Sequence, residues 1–321
     1  VVAVSLGWLF SAVDIILLIL FQEEVAQGLG VEVQTIKIAI GVGLMGSALG
    51  GLGFAPLGDR IGRVAALGWA IILYSLATAG MAFAPNIVIL MGLRFLAGIG
   101  TGGEWSIGFA LLAEVWSRKS RGAMGGLVAA MFNVGTFVAI GLYHSGMGWR
   151  MAFGVMFIPA VGVAWLRRVV PESPVWLEFN EARRAGTLTP EMAAVVKRPP
   201  LISAFRGDML GLTLKAVTIF AIMNLGFYSF STVFISYLHQ AVTEGGLGLS
   251  KSEELPFHLA LNISGLLSVF IAGALSDRLG RRLSFSAFCA LGAIGFLWLH
   301  FCLGDAHQPT VVSTALILAF A

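Results

Sequence analysis

Apolar stretches of about twenty residues follow one another along most of the chain, and they constrain the fold more than any other feature. A helix needs about 20 mainly apolar residues to cross a bilayer, and nine such stretches can be drawn before a tenth begins at Pro309. Charged residues make up 12% of the chain, against about 25% in soluble domains. Polar surface is therefore too scarce for a soluble globule, and we predict an all-α polytopic membrane protein.

One polar segment divides these stretches into two sets. Residues 169–207 contain five prolines and mixed charges, and we expect them to form a cytoplasmic linker with short surface helices. They would separate a six-helix bundle at 1–168 from a partial bundle at 208–321, with three helices and the start of a fourth. The predicted spans are Val2–Phe21, Ile36–Leu57, Val64–Ala84, Asn86–Trp116, Gly122–His144, Trp149–Trp165, Leu210–His239, Leu255–Leu275 and Leu283–Leu303.

The two ends of the sequence suggest that the second bundle is incomplete. Val1 already lies in an apolar run, and the apolar stretch from Pro309 to Ala321 is shorter than the others. We therefore expect a fragment of a longer protein.

Lysine and arginine lie almost entirely on one side of the predicted spans. If the loop after the second span is cytoplasmic, the other side keeps only Lys37, Arg150 and Lys251. Cytoplasmic loops of membrane proteins are enriched in these residues, so the first span should start inside, in the plasma (cell inner) membrane. This distribution accounts for the net charge of +3, and we expect no nucleic-acid partner.

The fourth predicted span carries Arg94 and Glu104. A charged side chain at the middle of a spanning helix costs about 2.5–3.5 kcal/mol, so such residues usually face a bundle interior or a water-filled path. The same helix has four closely spaced glycines between Arg94 and Glu104, which allow a neighbouring helix to approach closely. We therefore place it beside a solute pathway. The glycines are Gly98, Gly100, Gly102 and Gly103.

Asp14 in the first span, Arg94 and Glu104 are the main candidates for binding a solute or a proton. Buried carboxyl groups can load and release protons near neutral pH. Arg94 and Glu104 are about three helical turns apart, so we do not expect them to pair directly. Arg94 would instead pair with Asp14 or bind a carboxylate substrate. The alternative for both acids is a structural partner on another helix.

Three uncharged polar residues are weaker candidates: Asn133 in the fifth span, and Asn224 and Tyr228 in the seventh. Buried polar groups need partners, so these side chains could line a cavity or form hydrogen bonds between helices. The sequence does not separate these alternatives.

The histidines predict no metal site. His258 and His300 lie inside spans without acidic or cysteine neighbours at ligand spacing, and His144 and His239 fall near predicted outer ends at the membrane interface. We expect neither a metal nor a cofactor.

The pattern Asp-Arg-x-Gly-Arg occurs twice, after the second and the eighth predicted spans. Glycine permits a tight reversal of the chain, and aspartate can accept hydrogen bonds from the first N–H groups of a neighbouring helix. Two such loops, six spans apart, predict two halves that are built alike. Their residues are Asp59, Arg60, Gly62 and Arg63, and Asp277, Arg278, Gly280 and Arg281.

These motifs resemble those of the major facilitator superfamily. The repeated loop is similar to the signature between its second and third helices, and Arg94 with the following glycines resembles its fourth-helix motif. Residues 171–177 resemble the sequence after helix six of sugar porters. Residues 103–105 and 148–150 resemble the metabolite/proton, sialate/proton and aromatic-acid/proton symporter branches, although Ser11 replaces one of two acids typical of the last branch.

The resemblance implies the major facilitator fold, with two six-helix bundles. It also implies a cytoplasmic gate in which Glu114 joins Asp59 and Arg63, next to Arg121. The second repeat, from Asp277, would be the counterpart of this cluster in the other half.

A secondary active transporter agrees best with these features. We expect proton-coupled symport of a small organic acid or related metabolite by alternating access, by a monomer in the bilayer. The alternative is a passive facilitator or uniporter of a sugar-like or other small polar solute, which needs no titrating acid. An enzyme is not expected, because the sequence shows no catalytic dyad, metal set or phosphate loop.

Overall fold

The computed structural model describes residues 2–117, 120–162, 170–189, 205–207, 209–241, 243 and 246–302. All regular secondary structure in these residues is helical, as predicted. The helices are α1 (Val2–Leu20), α2 (Gln22–Leu29), α3 (Val33–Ile61), α4 (Arg63–Met81), α5 (Ile87–Val115), α6 (Arg121–His144), α7 (Trp149–Gly154), α8 (Pro174–Ala185), α9 (Met209–His239), α10 (Leu255–Leu279) and α11 (Arg281–Cys302).

Seven helices in the described part of the chain are long and apolar enough to cross a membrane: α1, α3, α4, α5, α6, α10 and, over Met209–Phe230, α9. They coincide with predicted spans to within a few residues. The sixth predicted span forms α7 and the helical residues 157–162, and the ninth forms α11. The predicted helix from Pro309 and most of the predicted linker lie outside the described residues.

Two helices lie outside the predicted spans. The eight-residue α2 follows α1 after a single residue and carries Glu23 and Glu24 in its first turn. The helix α8 begins at Pro174, directly after Ser173, whose side chain accepts a hydrogen bond from the Trp176 N–H. Since α8 lies in the polar segment, it confirms the expectation of a short helix there.

The core lies around α1, where every residue from Ser11 to Leu20 is buried. The apolar part of α9 has the opposite character, because its side chains are mostly exposed, with Leu212 at 62% and Phe220 at 57%. The burial pattern therefore places α1 inside the bundle formed by the described helices.

Glycines bring α3 and α5 into backbone contact. A Cβ atom on Gly98 of α5 would overlap the backbone carbonyl of Gly43 of α3, and one on Gly102 would overlap that of Ser47. The contact is reciprocal, since a Cβ on Gly50 of α3 would overlap the carbonyl of Ile99. The predicted close approach to the glycine-rich helix is confirmed, and α3 is the helix that makes it.

Helices α1–α7, here the first group, meet helices α9–α11, the second group, mainly where α6 packs along α10. Gly126 and Gly273 lie against each other near one end of this contact, and the rings of His144 and His258 lie 5.8 Å apart near the other. We call the end that carries Arg63, Arg121 and Arg281 the basic end, and the opposite one the far end.

Candidate solute and proton site

An ion pair between Asp14 and Arg94 lies inside the first group. The Nη1 atom of Arg94 is 3.0 Å from each carboxylate oxygen of Asp14, and both side chains are buried, with 4% and 0% exposed. The Thr78 hydroxyl of α4 also donates to the Asp14 carboxylate. The pair therefore ties α1, α4 and α5 together, and it is one of the two arrangements that the sequence left open for Arg94.

One donor of this arginine has no partner. The Nε atom of Arg94 is buried and makes no hydrogen bond to the described residues. It points towards α3 at Gly43, where an added Cβ would lie 2.8 Å from it. Because a buried donor without a partner is costly, the guanidinium retains capacity for another acceptor.

Glu104 is fully buried on α5. Neither of its carboxylate oxygens has a hydrogen-bond partner among the described residues. The group faces the backbone of α1 at Gly7, where a Cβ would lie 2.6 Å from Oε1. Ser11 lies near it, but the Ser11 hydroxyl donates to the Trp8 carbonyl. Charge on an unpartnered buried carboxyl group is expensive, so Glu104 would ionise only with a change in its surroundings.

A run of aromatic rings leads from α1 through α5 and α6 to α9. Trp8 stacks on Trp105 with ring centroids 5.2 Å apart and planes 18° apart. The Phe132 ring is 6.3 Å from that of Trp105 and 6.0 Å from that of Phe227. Tyr228 follows at 5.3 Å from Phe227. The run could not be predicted from the sequence, because these residues are far apart in the chain and share no spacing pattern.

The three weaker candidates are placed differently. Tyr228 is buried close enough to Asp14 and Arg94 for their charges to act on its hydroxyl. Asn133 is buried between the groups. Its backbone carbonyl, and not its side chain, accepts the hydrogen bond from Asn262 Nδ2 at 2.9 Å. Asn224 donates to a carbonyl one turn earlier in its own helix. Tyr228 is thus buried, whereas the Asn224 side chain is bonded within its own helix.

At the basic end, Arg63 contacts two carboxylates. Its Nη2 is 2.7 Å from Asp59 and 3.0 Å from Glu114, and its Nε donates to Glu114 at 3.1 Å. The three residues implied by the family resemblance therefore meet. Arg121 instead donates to the backbone carbonyls of Ala113 and Trp116 at the end of α5. The gating role of these residues remains a prediction.

The segment before and within α8 covers this cluster. Glu172 accepts from the backbone N–H of Val64, at the start of α4, with both carboxylate oxygens at 3.0 and 3.1 Å. The Ser173 hydroxyl donates to Glu114 at 2.6 Å, and the Trp176 indole donates to the Asp59 carbonyl at 3.0 Å. The sequence analysis noted this segment only for its resemblance to sugar porters and missed its contacts.

The two repeated loops have the same turn but different contacts. Gly62 and Gly280 have φ values of +104° and +87°, so the predicted use of glycine for the reversal is confirmed. Asp277 accepts from the Ala123 N–H at the start of α6, at 2.9 Å, and confirms the predicted capping of a neighbouring helix. In the first repeat Asp59 pairs with Arg63, and Glu172 accepts from the N–H of Val64 at the start of the next helix. Capping of a helix of the other group by Asp59 stays a prediction. The remaining basic residues of the motifs, Arg60, Arg278 and Arg281, are exposed.

At the far end, charged side chains of the two groups meet. His239 of α9 lies 3.0 Å from Glu23 through Nδ1 and 2.5 Å from Glu254 through Nε2. Contact with His239 lowers the pKa of Glu23 on α2 below its usual value. Lys251 contacts Glu24 at 2.7 Å. Together with Asp277 at the basic end, these pairs connect the groups at both ends.

One statement from the sequence is wrong here. His258 does have an acidic neighbour at ligand spacing, because Glu254 lies four residues earlier, or one helical turn. Donor atoms of His144, Glu254 and His258 all lie within 4.8 Å of one another. The predicted absence of clustered metal ligands therefore does not hold.

Comparison with known proteins supports the motif analysis. A family model described as the Major Facilitator Superfamily matches residues 3–321. A putative metabolite transport protein of Haemophilus influenzae is 31% identical over 255 residues, which are 78% of this chain and 60% of that protein. A niacin transporter of Acinetobacter baylyi is 27% identical over 315 residues, covering 91% of this chain and 71% of that protein.

A cis,cis-muconate transport protein of the same organism is 29% identical over 257 residues, covering 79% of this chain and 60% of its own length. The chain thus spans only 60% of two of these relatives.

Solved structures with the same fold include the xylose transporter XylE from E. coli. In a partially occluded inward-open conformation it matches with a TM-score of 0.72 at 18% identity, over 99% of this chain and 80% of that structure. At this identity the likeness shows the fold alone.

Proposed function

Since the chain belongs to the Major Facilitator Superfamily, a family of membrane transporters and not of enzymes, we propose that it carries a small organic acid together with protons by alternating access. The observation that carries this proposal is the buried pair of Asp14 and Arg94, with the unpartnered Glu104 on the same helix as Arg94. Passive transport needs no ionisable groups at this depth, and each of them is costly to bury.

The pair offers a way to couple a proton to an anion. Protonation of Asp14 removes the charge that holds Arg94 Nη1, and the guanidinium then attracts another carboxylate. Tyr228 of the second group lies where it can respond to this exchange. Glu104 can release its proton only when its surroundings change, as they do when helices of the two groups move, and it takes the proton up again when it is buried. Binding of solute and of proton would thus favour each other.

The aromatic run favours a planar acid as the solute. A flat ring or conjugated chain can stack against Trp105 or Phe132 while its carboxylate binds Arg94. Two relatives are named for niacin and for cis,cis-muconate, both planar carboxylic acids. We infer that this chain recognises the same chemical class.

The remaining features follow from this function. We propose that the basic end faces the cytoplasm of the plasma membrane, because cytoplasmic loops concentrate Lys and Arg. Residues 1–168 and 208–321 would then belong to two bundles joined by a linker at 169–207, working as a monomer. The cluster around Arg63 and the contact of Asp277 would hold the cytoplasmic side closed in part of the cycle.

Uptake into proteoliposomes tests the proposal. The full-length protein is reconstituted with an imposed pH gradient, alkaline inside, and offered nicotinate, cis,cis-muconate or xylose; protein-free liposomes correct for diffusion of the neutral acids. We expect a planar acid to accumulate above its external concentration and a protonophore to abolish the excess. Uptake that only equilibrates, or that favours xylose, would instead support the passive facilitator.

A further inference from the structure

Three potential metal ligands converge at the far end, where the groups meet. His144 ends α6 of the first group, whereas Glu254 precedes α10 and His258 lies in its first turn. Their donor atoms lie within 4.8 Å of one another. Glu254 is fully buried and His258 is 6% exposed, so two of the three are held inside the protein rather than in solvent.

These ligands have unused capacity. Both ring nitrogens of His258, the Nε2 atom of His144 and the Oε1 atom of Glu254 are buried without a hydrogen-bond partner among the described residues. Such groups are costly unless something satisfies them. The other oxygen of Glu254, Oε2, is held by His239, which leaves Oε1 as its unpartnered oxygen.

The two imidazoles and the carboxylate favour Zn²⁺ over Mg²⁺ and Ca²⁺. Two imidazoles and one carboxylate are a common three-ligand set for Zn²⁺, with water in the fourth position. Mg²⁺ and Ca²⁺ prefer oxygen ligands. A carboxylate ligand that is itself hydrogen-bonded, as Glu254 is to His239, is typical of metal sites. In a tetrahedral site the donors lie about 3.4 Å apart, which small side-chain rotations can reach from the present arrangement.

The local charges allow a cation to approach. Lys251 is paired with Glu24 and His239 with Glu23, so each of these two cations has a carboxylate of its own. A cleft of about 320 Å³ is lined by Glu23, Glu24, Tyr143, His239 and Lys251, among others. The cleft reaches His239, which contacts the ligand Glu254.

We propose that His144, Glu254 and His258 form a Zn²⁺ site that joins the two groups at the far end. The ion binds one ligand from the first group and two from the second, so it holds this end closed. Binding of the ion is independent of the proposed transport function; its effect as a clamp rests on that function, because alternating access requires the far end to open.

Zinc titration of the purified full-length protein, after treatment with a chelator, tests the site. Competition with a fluorescent zinc indicator should give one ion per chain, and excess Mg²⁺ should not displace it. We expect His258→Asn and His144→Asn each to weaken binding at least about tenfold. Glu253→Gln is the matched control, since this exposed acid is next to Glu254 but bonds to Ser250, and it should bind as the unmodified protein does.

Absence of a stoichiometric zinc ion, or unchanged binding after His258→Asn, would overturn the site. If His258→Asn fails to fold, the zinc stoichiometry of the unmodified protein and the zinc affinity of His144→Asn still test the site, because His144 is partly exposed. Zinc should also slow solute exchange in proteoliposomes, reversibly with a chelator. Zinc binding that does not slow transport would contradict the proposal that zinc holds the far end closed. If the protein binds zinc but transports no solute, the zinc site is supported and only the proposed transport function is contradicted.

Discussion

At the scale of single residues, Arg94 is the side chain on which the account depends. Its Nη1 atom is shared between the two oxygens of Asp14, and its Nε has no described partner. The sequence could show that Arg94 needs an anion, but not which one, because Asp14 lies 80 positions away. The isolation of Glu104 could not be predicted either, since it depends on where Gly7 of α1 lies.

Removing one member of the pair should destabilise the protein more than removing both. Asp14→Asn leaves the Arg94 charge buried without compensation, at a cost of about 3–5 kcal/mol. The double variant Asp14→Asn with Arg94→Gln should recover much of this loss, yet remain inactive in coupled uptake. Thermal unfolding in detergent measures both variants. If the double variant is less stable than Asp14→Asn, the two charges are not compensating each other.

At the scale of helices, the apolar lengths made the spans predictable to within a few residues. The helix α2 could not be predicted in this way, because it has only eight residues and follows α1 almost without interruption. The glycines of α5 indicated close packing, but not the partner. That choice depends on the complementary glycines of α3, Gly43 and Gly50, whose pairing with α5 is a three-dimensional property.

This packing predicts different effects for two glycines of α5. A Cβ at Gly98 overlaps the backbone of α3, whereas one at Gly92 meets nothing within 4 Å. Gly98→Ala should therefore cost about 1–3 kcal/mol by overpacking and lower the thermal unfolding temperature by several degrees. Gly92→Ala should leave it unchanged or raise it slightly. Equal unfolding temperatures for the two variants would show that α3 and α5 do not approach so closely.

At the scale of the whole molecule, contacts at both ends connect the two groups. The repeated loops predicted two similar halves, but their different contacts appear only in three dimensions. Asp277 binds α6 of the other group, while Asp59 binds Arg63 within its own. The contact of His239 with Glu23 joins positions 216 residues apart, and nothing local in the sequence marks it.

The two aspartates should consequently differ in their effect on the basic end. Spin labels at the exposed positions Val115 and Leu279, in a background without native cysteines, report the distance between the groups by pulsed electron resonance. Asp277→Ala removes a contact between groups and should enlarge the long-distance population. Asp59→Ala breaks a contact within one group and should change this long-distance population less. The reverse order would contradict the assignment of Asp277 as the connecting residue.

Coupling of proton entry to solute entry can be measured in proteoliposomes. Proteoliposomes containing the full-length protein and an internal pH-sensitive dye are given nicotinate or cis,cis-muconate without an imposed gradient, with protein-free liposomes as the reference for diffusion. We expect acidification of the interior in step with solute entry, and its loss in Glu104→Gln and Asp14→Asn variants that still bind the acid. Protein-mediated entry of the solute without any movement of protons would contradict this coupling.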